Sequence, residues 1–248
     1  MLSKNQQKFI SSLSVKKYRE QEGCFVVEGV KPVEELLLSA VRVRSVFAVN
    51  SWLDNNRVKQ LNRQGIVWQE VSEVELAKVS GLKTPNQVLA VAEIPQREAP
   101  DLKSGFFILL DRINDPGNLG TIIRIADWFG IKAVICSPET TDCYNSKVVQ
   151  SAMGSLFRMP VIYDSLEKIV SKAHQNNVPV YLADMNGTPL QQVKFGSNGL
   201  IVMGSESHGV AKELIQAKNQ QITIPGIGAA ESLNVGVAAG IICSRIRG

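Results

Sequence analysis

A chain of 248 residues with 44% apolar and 20% charged side chains, nineteen glycines and ten prolines has the balance of a protein with a sizeable core, which excludes global disorder. Its formal net charge of +4 suits a polyanionic partner without demanding one. Cys24, Cys136, Cys143 and Cys243 form no Cys-x-x-Cys pair and His174 and His208 are the only histidines, so a disulfide framework, a zinc ribbon and a metal centre are set aside.

Residues 1–19 hold Lys4, Lys8, Lys16, Lys17 and Arg19 and no acid, with Phe9, Ile10 and Leu13 at helical spacing. One basic amphipathic helix is expected, either a solvated face or a phosphate-contacting surface whose candidate RNA-binding residues are Lys4, Lys8, Lys16 and Arg19. The apolar pattern then predicts a strand at 24–27, a helix at 32–39, a strand at 45–49, a helix from Ser51, a strand at 66–68, a helix at 71–79 and a strand at 88–92. Prolines and charges crowd residues 93–105 without periodicity, as in a linker. The expected organisation is a domain at 1–95, a linker at 96–104 and a domain at 105–248. Residues 1–100 carry 14 basic and 11 acidic side chains, so most of the positive excess lies before the linker.

Beyond it, strands are expected at 106–110, 133–136, 161–162, 180–183, 200–203 and 222–224, and helices at 119–129, 147–157, 166–175 and 232–246. Several strands are continuous apolar runs, as a parallel sheet buried on both faces requires. The fold class is α/β. The N-terminus shows no apolar leader and the run 232–244 is too short to span a bilayer, so a reduced, cytoplasmic setting is expected.

Ligands of doubly wound sheets sit beyond the carboxyl ends of the strands, and three loops there carry chemistry. The loop after 106–110 contains Asn114, Pro116, Gly117, Asn118 and Gly120 and runs into a helix bearing Arg124 amid Ile122, Ile123, Ile125 and Ala126. Asn118 is the expected helix cap, and Arg124 needs anionic company, either a ligand or an ordinary ion pair with Asp127 or Asp111. The loop after 200–203 brackets Glu206 between Gly204 and Gly209. The loop after 222–224 passes through Pro225, Ser232, Leu233 and Asn234 into an apolar helix, with Ser232 as its expected cap and Asn234 in its first turn. No Gly-x-Gly-x-x-Gly follows the first strand of either half, and there is no Walker lysine and no Cys-His or Ser-His-Asp constellation.

Taken in order, Asn114, Asn118, Gly120, Arg124 and Ala126, then Gly204, Glu206 and Gly209, then Ile224, Pro225, Ser232, Leu233, Asn234 and Val235 resemble the three motifs of the SpoU or TrmH branch of the SPOUT RNA methyltransferases. The basic N-terminal segment, with Phe25 to Gly29 and Pro32 to Glu35, resembles the substrate-binding domain of that branch, built like a small RNA-binding ribosomal protein. The resemblance implies 2′-O-methylation of a ribose in structured RNA, ribosomal more than transfer RNA, with S-adenosylmethionine as donor. It further implies a homodimer through the catalytic domain and a C-terminal trefoil knot in a mostly parallel sheet. By the same likeness Gly204, Ile224 and Leu233 hold the cofactor through backbone atoms, Leu182 and Ala183 line its pocket, and Asn118, Arg124, Glu206, Ser232 and Asn234 form the catalytic surround. No family position calls for His208. A guanidinium is a poor general base because it keeps its proton far above neutral pH, so Arg124 is read first as a group that fixes the acceptor and its phosphate. A non-catalytic RNA-binding protein of the same fold and a nucleotide-binding metabolic enzyme are the alternatives.

Overall fold

Two contact units divide the chain, one formed by residues 1–96 with 144–158 and the other by 97–143 with 159–248. The computed structural model describes residues 1–55, 58, 60, 61, 65–82, 84, 86–97, 100–205, 209–216 and 218–247.

The first unit opens with two helices where one was expected, α1 (Lys4–Ser12) and α2 (Lys16–Glu22). Ser3 and Gln6 form a reciprocal capping box at the start of α1, and Gly23, at φ 62°, ends α2 in the left-handed region that glycine adopts freely. Arg19 is only 3% exposed and its Nη1 donates to the Leu13 and Ser14 carbonyls at 2.8 Å, satisfying backbone oxygens at the break between the helices. Strands β1 (Cys24–Glu28), β2 (Val43–Ala48), β3 (Val67–Glu70) and β4 (Val88–Glu93) form a sheet in the order β1-β4-β2-β3. The pairs with β4 are antiparallel and that between β2 and β3 is parallel. Helix α3 (Val30–Leu38) and the short helices α4 (Asn50–Leu53) and α5 (Glu73–Ala77) complete this part.

The same unit takes up 144–158, which the sequence pattern assigns to the second domain. The Phe25 ring lies 4.6 Å from Tyr144 and 6.4 Å from Phe157, Gln150 Nε2 donates to the Glu28 carbonyl at 2.7 Å, and Arg158 pairs with Glu35 at 2.6 Å. The helix expected at 147–157 stops early, as α7 (Ser146–Ala152) followed by a 3₁₀ turn at Ser155–Phe157. Met153 and Gly154 take φ of 50° and 91° between them. A Cβ on Gly154 would come within 2.7 Å of Glu35 Cβ, so the break is fixed by packing as well as by backbone preference.

The second unit is a six-stranded sheet, β10-β8-β9-β5-β6-β7, with every pair parallel. Its strands are β5 (Gly105–Asp111), β6 (Ala133–Cys136), β7 (Val161–Tyr163), β8 (Val180–Pro189), β9 (Asn198–Gly204) and β10 (Gln220–Thr223). Leu109, Ile135, Leu182 and Val202 from neighbouring strands join Ile169 and Val170 of α8 (Leu166–Gln175) in one buried cluster. This is the physical meaning of the unbroken apolar runs, since both sheet faces are covered. Helices α6 (Pro116–Trp128) and α9 (Val235–Arg247) pack together.

Candidate active site

Three chain segments leave the carboxyl edge of the parallel sheet and wall one cavity of about 860 Å³. From β8 come Ala183, Asp184, Met185 and Asn186; from β9 come Gly204, Ser205, Gly209 and Val210; from β10 onward come Ile222 to Gly226 and Ala230 to Leu233. Of the β8 wall only Ala183 was expected; Asp184, Met185 and Asn186 were not, because the strand was expected to end at Ala183. Instead β8 resumes pairing beyond an excursion: Leu182 faces Gln221, and the next β10 residue, Ile222, faces Thr188. The turn-forming pair Asn186 and Gly187 was the available signal.

Two glycines make this architecture possible. A Cβ on Gly204 would lie 2.0 Å from the Gly209 carbonyl carbon, and one on Gly187 would lie 2.5 Å from the backbone of Gln221 and Ile222. The Gly209 amide donates to the Ser205 carbonyl at 2.8 Å, closing the loop on itself. Ser205 is 8% exposed, lines the cavity, and its Oγ is buried without a hydrogen-bond partner among the described residues. Buried hydroxyls are nearly always paired, so this atom marks a place where a polar ligand group is wanted.

The first and third motifs meet beside the cavity. Asn234 Nδ2 donates to Asn118 Oδ1 at 2.8 Å, while Asn234 Oδ1 accepts from the Gly236 and Val237 amides at 2.9 and 3.3 Å. Asn234 is therefore the cap of α9, a role expected of Ser232, which stays exposed on the cavity wall. At α6 the cap is Asp115, whose side chain accepts from the Asn118 amide at 2.8 Å, with Pro116 at the first helical position. Asn118 lies inside that first turn, so its side chain is left to bind Asn234. At the far ends of the same helices, Arg247 Nε and Nη2 donate to the Phe129 and Gly130 carbonyls at 2.7 and 2.6 Å. Bonds at both ends fix α6 and α9 as parallel neighbours.

Arg124 stands exposed on α6, outside the cavity wall, and makes no ion pair with a described residue. Asp111, one of the ion-pair partners considered for it, is instead held by Arg112. Ile224, Leu233 and Ala183 line the cavity with Gly204. Leu182 does not: at 1% exposure its side chain belongs to the core cluster, because its face of β8 looks into the sheet packing. Glu206 and His208 lie outside the described residues.

All four cysteines are buried. Burial pushes the Cys136 thiol well up and that of Cys243 to about 12, so both stay protonated at neutral pH. Among the described residues no cluster of three or more His, Cys, Asp or Glu could hold a metal, and no helix is long and apolar enough to cross a membrane.

In the first unit, Lys4, Lys8 and Lys16 are exposed, and Lys16 lies 3.8 Å from Glu20. Arg19 leaves the candidate RNA-binding set, since its guanidinium is spent on buried carbonyls. A run of positive charge does not reveal which member turns inward.

Residues 105–244 match the family model described as the SpoU rRNA Methylase family, and residues 4–90 match the MRM3-like substrate binding domain. The chain is 35% identical over 248 residues to the 23S rRNA (guanosine(2553)-2'-O)-methyltransferase RlmP of Bacillus subtilis, covering 99% of this chain and 98% of that protein. It is 28% identical over 233 residues to the 23S rRNA (uridine(2479)-2'-O)-methyltransferase of Streptomyces viridochromogenes, covering 89% and 76%. Among solved structures, the AdoMet-bound rRNA methyltransferase from Sinorhizobium meliloti superposes with a TM-score of 0.86 at 29% identity, covering 100% of this chain and 95% of that one.

Proposed function

Because this chain belongs to the SpoU rRNA methylase family, we propose that it transfers a methyl group from S-adenosylmethionine to a ribose 2′-hydroxyl of ribosomal RNA. The observation that carries this reading is the convergence, at the carboxyl edge of one parallel sheet, of the second and third motif loops and the end of β8 around a single cavity, with the first motif joined beside it through the bond of Asn118 to Asn234. Ribosomal rather than transfer RNA is favoured by the relative over which the likeness runs nearly end to end, and by a second over most of the chain.

The cavity fits the cofactor on chemical grounds. Glycines and small residues leave backbone groups accessible, Ile222, Ile224 and Leu233 offer apolar contact, and Ser205 Oγ awaits a polar partner. Gly204, Ile224 and Leu233 would hold it by backbone atoms, with Ala183 as a neighbouring wall. When bound, S-adenosylmethionine supplies a methyl carbon that accepts an oxygen nucleophile as sulfur leaves with the electron pair. The chain's own part is alignment, the largest lever available to such a displacement. Arg124, exposed and without a described ion-pair partner, fixes the acceptor hydroxyl and the adjacent phosphate. Asn118 and Asn234 set the helix ends around the acceptor, and Ser232 and Glu206 complete the catalytic surround.

The first unit contributes RNA affinity through Lys4, Lys8 and Lys16. The second unit works as a cytoplasmic homodimer: Trp128 of α6 and Val237 and Ile241 of α9 are 84%, 52% and 38% exposed, apolar area that a second copy would cover. The chain beyond Ile224 threads a trefoil knot, a reading supported by the close backbone approach of Gly187 to Gln221 and Ile222.

Thermal melting with S-adenosylhomocysteine tests the cofactor assignment. Ligand at a hundred times its Kd should raise stability by about 2.7 kcal/mol, whereas NAD and ATP should leave it unchanged. No shift with S-adenosylhomocysteine would contradict the assignment and favour a non-catalytic RNA-binding protein.

A further inference from the structure

We propose that Asp111 and Arg112 form a positioning clamp at the two ends of the loop after β9, fixing Gly204 and Ser205 on one side and Gly209 to Ala211 on the other, and with them one wall of the cavity. The proposal rests on the reading of that cavity as the cofactor site.

Asp111 is the last residue of β5 and is 4% exposed. Its Oδ1 accepts from Arg112 Nε and its Oδ2 from Arg112 Nη2, both at 3.0 Å, and Oδ2 also accepts from the Ala211 amide at 2.8 Å. One carboxylate thus joins the exit of β5 to the far end of the β9 loop, a hundred residues away. The near end of that loop is held by the pairing of Asp111 with Gly204 in the β5 and β9 ladder. Ser205 and Gly209 are bonded to each other in between.

Successive side chains on a strand point to opposite faces, so a two-bond fork between residues 111 and 112 is impossible in extended backbone. Arg112 makes it possible by adopting φ 55°, a conformation uncommon for a residue with a side chain. The loop after β6 holds it there. The Arg112 amide donates to Ser137 Oγ at 3.1 Å, and the Ile113 amide to Thr140 Oγ1 at 3.3 Å, while Thr140 Oγ1 donates to the Leu110 carbonyl at 3.1 Å. Strain retained at the edge of a ligand cavity points to a role there.

The same surroundings tell against an RNA phosphate as the partner of Arg112. Asp111 takes two of its donor groups, and the negative charges of Glu213 and Glu139 also act on it. A guanidinium already forked onto the Asp111 carboxylate is placed to hold protein.

Calorimetric titration with S-adenosylhomocysteine separates the possibilities, using the intact wild type, Asp111→Asn, Arg112→Gly and the double variant. Glycine adopts φ 55° freely, so Arg112→Gly eases the backbone while removing the fork. Each single variant should weaken binding by about tenfold, and the double should be no weaker than the worse single, because one clamp breaks only once. Unchanged affinity in both singles, even with a lowered melting temperature, would overturn the clamp and leave the pair a structural bond. Losses that multiply in the double would overturn it as well. Failure of the wild type to bind S-adenosylhomocysteine would instead remove the cofactor reading on which the clamp stands.

Discussion

Arg124 carries the chemical reading at the scale of single residues. A cation left exposed beside the buried Ile122, Ile123 and Ala126 of its helix, with no described ion-pair partner, gains nothing for the fold, so removing it should spare the protein and stop the reaction. Arg124→Ala should abolish methyl transfer while S-adenosylhomocysteine binding, measured by calorimetry, persists; near-normal turnover would make the residue structural. A second prediction concerns Glu75, whose carboxyl is held down at about 2 by the Ser72 and Leu2 amides and the Ser72 hydroxyl. A depressed folded pKa stabilises above the unfolded value, near 4.5, and loses that contribution as pH falls through the folded value. Wild type should therefore melt above Glu75→Gln at pH 6, the two converging near pH 2. A pH-independent gap would contradict this. Residue roles were only partly legible in the sequence: Asn118 and Asn234 were singled out but their bond was not, and Arg19 and Leu182 were misplaced because neither burial nor the direction of a strand face is written in residue type.

At the scale of elements, the parallel pair α6 and α9 is held at one end by Asn118 and Asn234 and at the other by Arg247. Asn234→Ala removes both a helix cap and the bond to α6 and should cost about 1 to 2 kcal/mol, lowering Tm by roughly 3 to 8 °C. An unchanged melting curve would show that α9 is set by packing alone. The elements themselves were largely readable, since α/β alternation and unbroken apolar runs follow from burying a parallel sheet on both faces. Where the reading failed, a specific local competitor won. Asp115 with Pro116 outbid Asn118 as a cap, Asn234 outbid Ser232, and Met153 with Gly154 ended α7 early. The membership of 144–158 in the first unit depends on contacts with Phe25, Glu28 and Glu35 more than a hundred residues away, which no window of sequence contains.

For the whole molecule, the small net charge conceals an uneven distribution, with 14 basic and 11 acidic residues among the first hundred. Phosphate contacts release counterions, so reversing the charges of Lys4, Lys8 and Lys16 should weaken RNA binding and flatten its dependence on salt. An unchanged salt slope would confine α1 and α2 to a structural role. The order of the three motifs along the chain was legible because each follows an apolar strand. Their convergence required the sheet order β10-β8-β9-β5, which brings the ends of β5, β9 and β10, distant in sequence, to one edge of the sheet. The central claim is methyl transfer to a ribose of ribosomal RNA, and the most direct measurement is a map of 2′-O-methyl groups across the ribosomal RNA of cells with and without this protein. The account predicts the loss of methylation at a defined ribose, restored by the wild-type chain and not by Arg124→Ala; an identical map in both cells would contradict it.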